Sequence, residues 1–252
     1  MRRKIAAGNW KMNGTLTQLE HLNVLAKRHP TPKVDIVVCP PNTLIAPATA
    51  QTGTTAIAIG AQDCHTTATT GAHTGDTSAQ MLSEAGATHV LVGHSERRCD
   101  HDETDRVVCG KAQAAIAQGL IAIICLGETL QQREAGSTLE VIADQLAASI
   151  PDIANGETAV IAYEPVWAIG TGLVATAAQI GEVHGFIRAQ LIKRFGEDAG
   201  QTFRLLYGGS VKAGNADEIF AVADVDGALV GGASLNCDDF SPIITALENS
   251  SP

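Results

Sequence analysis

The sequence predicts a single closed (β/α)8 barrel, an α/β fold of eight parallel strands that each feed a helix. Three observations carry this expectation. Eight short β-prone apolar runs recur along the chain, at 4–7, 34–39, 56–59, 89–92, 120–126, 159–163, 203–207 and 228–230. Most are continuously apolar rather than alternating, as strands covered on both faces of a parallel sheet are. Helical patterns separate them, and the 252 residues match the ~250 that such a barrel fills as one domain. A doubly wound open sheet is the alternative arrangement of the same elements.

The helical segments follow in order. Residues 17–29, 43–51 and 78–86 carry the first three, with weak apolar stripes. Val108, Ala112 and Ile116 then fall on one face at i, i+4 and i+8, with Lys111 and Gln113 off it. Leu139, Ile142, Leu146 and Ile150 repeat the stripe, and so do Ile180, Val183, Ile187, Leu191 and Ile192. Thr176 is placed as an N-cap and Gly196 as a C-terminal stop. Residues 214–222 and 238–248 close the series, and no linker or low-complexity tract interrupts it.

Composition excludes several classes. Hydrophobic residues make up 45% and charged residues 17%, which rules out disorder. With nine aromatic residues, Ala, Val, Ile and Leu must fill the core. A net charge of −10 makes the chain a poor general partner for nucleic acid, so a bound anion needs a local positive potential. The basic start Met1-Arg2-Arg3-Lys4 is followed by too short an apolar stretch for a signal-peptide core. The longest apolar run, 120–126, falls far short of the ~18 residues of a membrane span. A soluble, cytoplasmic protein with no membrane partner is expected. The six cysteines form no Cys-x-x-Cys pair and no zinc spacing, so they read as reduced and mostly buried.

In such a barrel the chemistry sits on loops that follow the strands' C-terminal ends. After the first strand come Asn9 and Lys11, after the fourth His94, and after the sixth Glu164. Asn9 and Lys11 point into the barrel mouth on one reading; a turn asparagine and a surface lysine are the plainer one. His94 is a candidate acid or base, or a histidine satisfied by core hydrogen bonds. Glu164 ends an apolar strand, where partial burial would raise its pKa and improve it as a base, or it is an internal ion-pair partner. Pro165 opens and Gly170 and Gly172 close the following segment, which gives a lid stiff and flexible ends. The run from Gly170 to Ala175 fits a dinucleotide fingerprint in letters but begins too far from its strand. Glycine pairs follow the last two strands, Gly208-Gly209-Ser210 and Gly231-Gly232. Backbone N–H groups in such turns hold phosphate without a basic patch; tight turns alone are the other reading.

The motifs Gly8-Asn9-Trp10-Lys11-Met12-Asn13-Gly14, Gly93-His94-Ser95-Glu96-Arg97-Arg98 and Cys125-Leu126-Gly127-Glu128-Thr129 stand in this order. Tyr163-Glu164-Pro165-Val166-Trp167-Ala168-Ile169-Gly170-Thr171-Gly172, Tyr207-Gly208-Gly209-Ser210-Val211 and Val230-Gly231-Gly232-Ala233-Ser234 follow. Together they resemble the triosephosphate isomerase family over nearly the full chain. The resemblance implies an isomerase of glycolysis and gluconeogenesis that interconverts dihydroxyacetone phosphate and D-glyceraldehyde 3-phosphate through an enediolate. It implies Glu164 as the base and His94 as a neutral electrophile, a pairing for which this family is itself the reference case. Lys11 would supply positive charge, and Asn9 a hydrogen bond to the oxyanion. Gly170, Ser210, Gly231 and Gly232 would hold phosphate, with Asn9 and Lys11 beside the substrate. Ser95 and Glu96 would support His94 and Lys11. No cofactor or metal is implied. Residues 165–175 would be a closing lid, of which this family is a standard instance.

The resemblance also implies a homodimer braced by the loop at 71–80. Here His73 stands where the family usually has another aromatic ring, and Asp76 where it has glutamate, one methylene longer. Asp63 replaces the usual asparagine, and Leu173 and Val174 replace the usual lid hinge. Two other classes stay open on the residues alone. One is a barrel enzyme acting on a larger sugar phosphate. The other is a non-catalytic binding protein on the same fold.

Overall fold

The computed structural model describes residues 2–170 and 173–250. Its strands are β1 (Ile5–Asn9), β2 (Asp35–Cys39), β3 (Ile57–Ala61), β4 (His89–Val92), β5 (Ile121–Leu126), β6 (Ala159–Tyr163), β7 (Arg204–Tyr207) and β8 (Gly227–Val230). All pair in parallel and in chain order, and β8 returns to β1, so the sheet closes rather than opening into a doubly wound layer.

Side chains two apart on a strand share a face, which sorts each strand into two apolar rows. One row packs inside the barrel, with Ile5 and Ala7, Val37 and Cys39, Ile123 and Cys125, Val160 and Ala162, Leu206 and Leu229. The other packs under the helices, with Ala6, Val38, Val90, Ile124, Ile161 and Leu205. Both faces are buried, which is why the runs read as continuously apolar. Alanines and cysteines among the inner residues let the barrel close around a filled lumen.

The inner rows continue past the apolar residues at both ends. At the floor they reach Asp35, His89 and Arg204, with Arg204 Nη1 3.1 Å from Asp35 Oδ2. At the mouth they reach Asn9, Glu164, Gly208 and Gly231. The period of two therefore carries four of the motif residues to one opening.

Helices cover the outside where the apolar stripes placed them, among them Asp105–Ala117, Thr138–Ser149 and Ala177–Phe195. The Thr176 hydroxyl accepts from the Gln179 N–H at 3.3 Å and caps the last of these. Gly196 ends it with φ +88°, a left-handed conformation that glycine adopts freely. Among the described residues, three α-helices have no counterpart in the apolar pattern: Ser95–Asp100, Leu130–Glu134 and Glu197–Thr202. Each is shorter than two turns, too short to display a period. Among the described residues no helix is long and apolar enough to cross a membrane. All six cysteines are free; Cys39, Cys64, Cys125 and Cys237 are buried, Cys109 is half-buried and Cys99 is exposed.

Candidate active site

The mouth of the barrel holds a cavity of about 290 Å³. Asn9, Lys11, His94, Glu164, Gly170, Ser210, Gly231 and Gly232 all line it. Ser95 and Glu96 do not; they stand behind Glu164 and beside Lys11.

The β1 loop is held in an unusual shape. Lys11 has φ +53°, a left-handed conformation that costs a non-glycine residue roughly 1–2 kcal/mol. Two side chains hold it there. The Lys11 N–H donates to Asn9 Oδ1 at 2.9 Å, and Gln62 Nε2 donates to the Lys11 carbonyl at 2.8 Å and the Cys39 carbonyl at 2.9 Å. The Lys11 ammonium is thereby directed into the mouth, where it pairs with the Glu96 carboxylate. Gln62 carries no motif of its own, and only the fold brings it to Lys11.

After β4 the chain turns at Gly93, φ +68°, and presents His94 as the N-cap of helix Ser95–Asp100. His94 Nδ1 accepts the Glu96 N–H at 3.2 Å, so that nitrogen carries no proton. Nε2 then bears the ring proton and faces Glu164 Oε1 at 3.1 Å. After β6, Glu164 is 2% exposed. Its other oxygen, Oε2, accepts the Ser95 N–H at 3.3 Å.

Glycines make room for this carboxylate. A Cβ on Gly127 would lie 1.7 Å from the Glu164 carbonyl oxygen, and one on Gly208 would lie 2.6 Å from Glu164 Cγ. Neither overlap is tolerable, so the backbone passes closest to Glu164 where side chains are missing.

The electrostatics differ from the sequence expectation at Glu164. Burial does push its pKa up, and is the largest single influence, but His94, the Ser95 N–H and Lys11 together hold it below the ordinary carboxylate value. Burial pulls His94 down, while the Glu164 carboxylate outweighs that and draws it up. The Glu96 N–H on Nδ1 opposes a second ring proton, because a protonated Nδ1 would confront another donor.

The glycine turns after β7 and β8 line the cavity with backbone. The Gly231 carbonyl accepts both the Ser234 N–H at 2.8 Å and the Ser234 hydroxyl at 2.7 Å. In a trans peptide the Gly232 N–H points opposite to that carbonyl, away from Ser234. It also begins the 3-10 turn Gly232–Leu235, whose first N–H groups have no acceptor within the turn. Lys212 lines the same side of the cavity and was not singled out by motif or spacing.

Residues 4–247 match the family model described as triosephosphate isomerase. The chain belongs to the triosephosphate isomerase family. It is thus an isomerase. It is 62% identical over 248 residues to the triosephosphate isomerase of Ruegeria pomeroyi, covering 98% of each chain. It is 60% identical over 247 residues to that of another Ruegeria strain, covering 98% of this chain and 99% of the relative. A crystal structure of triosephosphate isomerase from Bartonella henselae superposes with a TM-score of 0.91 at 47% identity, covering 97% of this chain and 98% of that one.

Two further groups support the site in this member of the triosephosphate isomerase family. Glu128 is fully buried, and its Oε1 accepts Trp167 Nε1–H at 2.9 Å and the Tyr163 hydroxyl at 3.2 Å. Its carbonyl accepts the Val166 N–H at 3.1 Å, so one residue fixes the start of the segment at 165–175 twice. Within that segment Thr171 and Gly172 lie outside the described residues. Asp63, the departure from asparagine, pairs with Lys111 at 2.7 Å and Arg97 at 3.0 Å. Arg97 is also held by Glu103 at 2.6 Å, so that guanidinium is already engaged within its own chain.

Proposed function

We propose that the chain interconverts dihydroxyacetone phosphate and D-glyceraldehyde 3-phosphate through an enediolate. Glu164 takes a proton from the carbon next to the carbonyl and returns it to the neighbouring carbon. The reading rests on one relationship: the Glu164 carboxylate and the His94 Nε2 proton meet at 3.1 Å on a cavity that Asn9 and Lys11 also line.

The substrate carbonyl takes over the Nε2 proton that Glu164 accepts, which leaves Oε1 free to reach the adjacent carbon. The neutral ring donates rather than protonates, so the oxyanion forms against a hydrogen bond. Asn9 adds a donor of a kind worth about 3–4 kcal/mol at an oxyanion. The Lys11 ammonium contributes about 4 kcal/mol for one unit charge at ~4 Å and an effective dielectric of ~20. Glu164 is ionised at neutral pH because its pKa lies below the carboxylate norm. Its basicity therefore rises only when substrate replaces His94 and Ser95 as its partners and water leaves the cavity. Gly170, Ser210, Gly231 and Gly232 hold the phosphate by backbone N–H groups, and residues 165–175 close over it.

The protein acts as a cytoplasmic homodimer in this reading. Met12, Leu16 and Met81 are large apolar side chains left exposed in the single chain, and a second copy covers them. The test is isomerisation of D-glyceraldehyde 3-phosphate by the purified chain beside Glu164→Gln. Fast turnover that the substitution lowers by several orders of magnitude is expected. Equal rates would overturn the reading.

A further inference from the structure

We propose that Lys212 recognises the phosphate of the substrate, as the charged partner of the backbone N–H groups on the same cavity. The inference deepens the isomerase reading and rests on it. Among the described residues, three charged side chains line the cavity: Lys11, Glu164 and Lys212. Lys11 is already committed, because its ammonium pairs with the Glu96 carboxylate. The Lys212 ammonium has no ion pair and no hydrogen bond among the described residues. A phosphate monoester brings about −1.5 to −2 charges at neutral pH. The chain itself carries −10, which repels such an anion. Backbone N–H groups orient a phosphate but carry no net charge. Lys212 is the uncommitted cation of the lining that offsets it.

The turn after β7 gives this lysine a firm base. Asn215 pins the turn at three points. Its Oδ1 accepts the Lys212 N–H at 2.8 Å, its N–H donates to the Lys212 carbonyl at 3.1 Å, and its Nδ2 donates to the Ser210 carbonyl at 3.0 Å. Val211, between the two, is buried. The backbone that presents Ser210 to the cavity is thus the backbone that presents Lys212. The Lys212 side chain is exposed, at the cavity's rim. In a closed sheet of eight strands β7 lies across from β3, so this turn is remote from the loop at 71–80. A second copy seated on that loop leaves Lys212 open to solvent. An exposed charge draws an anion from a distance and is screened by salt. Lys212 therefore acts on capture and grip of the phosphate rather than on proton transfer.

The experiment compares Lys212→Gln, Lys212→Arg and Lys33→Gln with the parent full chain. Lys33 is exposed beside the start of β2, at the floor of the barrel, so its substitution removes the same charge far from the cavity. Isomerisation of D-glyceraldehyde 3-phosphate is followed from low to high salt, with inorganic phosphate as competitor. At low salt Lys212→Gln should lower kcat/KM and phosphate affinity by about fivefold or more, with kcat within about twofold of the parent. The difference should shrink as salt is added. Lys212→Arg should restore most of the loss, since a guanidinium also holds phosphate. Lys33→Gln should match the parent throughout. A Lys212→Gln enzyme indistinguishable from Lys33→Gln would overturn the proposal. So would a loss confined to kcat with phosphate affinity intact, or an arginine variant as weak as the glutamine one. Calorimetric titration with sodium phosphate reads the same contact without turnover. A parent chain that binds phosphate through Lys212 yet does not isomerise the triose phosphate would therefore refute the isomerase reading and leave the phosphate contact standing.

Discussion

His94 Nε2 and Glu164 Oε1 stand 3.1 Å apart, joined across the barrel mouth from the ends of β4 and β6. Each is the other's strongest electrostatic partner. In the proposed reaction, a substrate carbonyl that accepts from the imidazole parts them, and the same displacement frees Glu164 to act as base.

The first prediction concerns the space behind that base. Gly208→Ala places a Cβ 2.6 Å from Glu164 Cγ, and something must shift. A misplacement of ~1 Å costs a reacting group about a hundredfold, so kcat should fall by about that factor. Overpacking adds a stability loss of about 1–3 kcal/mol. Steady-state kinetics with a denaturation curve check both, and an unchanged kcat would show that Glu164 tolerates displacement.

Glu128 supports the start of the segment at 165–175 rather than the cavity itself. Glu128→Ala removes the acceptor of the Tyr163 hydroxyl and the carboxylate facing Arg133 at 3.5 Å. Loss of about 1–3 kcal/mol of unfolding free energy is expected, from a stranded buried hydroxyl, while Arg133 keeps Glu182 at 3.4 Å. Urea denaturation measures it. A variant as stable as the parent would mean that these bonds contribute little.

Two buried histidines set an acid limit. Burial pushes His89 down to about 4, with Arg204 adding to the effect and Asp35 opposing it. Burial likewise pushes His184 down to about 4, against the Asp224 carbonyl that accepts its Nδ1 proton. The unfolded chain binds these protons near pH 6.5, and the folded chain refuses them until about 4. Stability is therefore whole above pH 6.5 and declines as pH falls toward 4, by up to about 3 kcal/mol for each histidine. Imidazole resonances followed by NMR should stay neutral through that window. Titration near 6.5 in the folded protein would contradict the account.

Assembly is the fourth. Sedimentation equilibrium should give a dimer, and Met12→Asp, at a side chain 96% exposed in the single chain, should shift it toward monomer. A stable parent monomer of full activity would end the dimer reading.

Much of this was legible from residue patterns. The runs at 89–92 and 159–163 are strands with those same ends, because apolar residues on both faces define where the sheet begins and stops. Period two then carries Asn9 and Glu164 to the mouth. Partnerships between distant segments were not legible. Burial alone argued for a raised Glu164 pKa, but His94 and the Ser95 N–H arrive from another strand end and reverse it. Gln62 reaches Lys11 across 51 positions, and Glu128 reaches Trp167 across 39. Neither distance leaves a trace in local spacing.

The most direct measurement is isomerisation of D-glyceraldehyde 3-phosphate in deuterium oxide, with the product read by NMR. If Glu164 carries the proton, dihydroxyacetone phosphate acquires solvent deuterium on the carbon beside its carbonyl, and Glu164→Gln abolishes both turnover and labelling. Rapid turnover with the hydrogen retained, and unaffected by the substitution, would contradict the central claim.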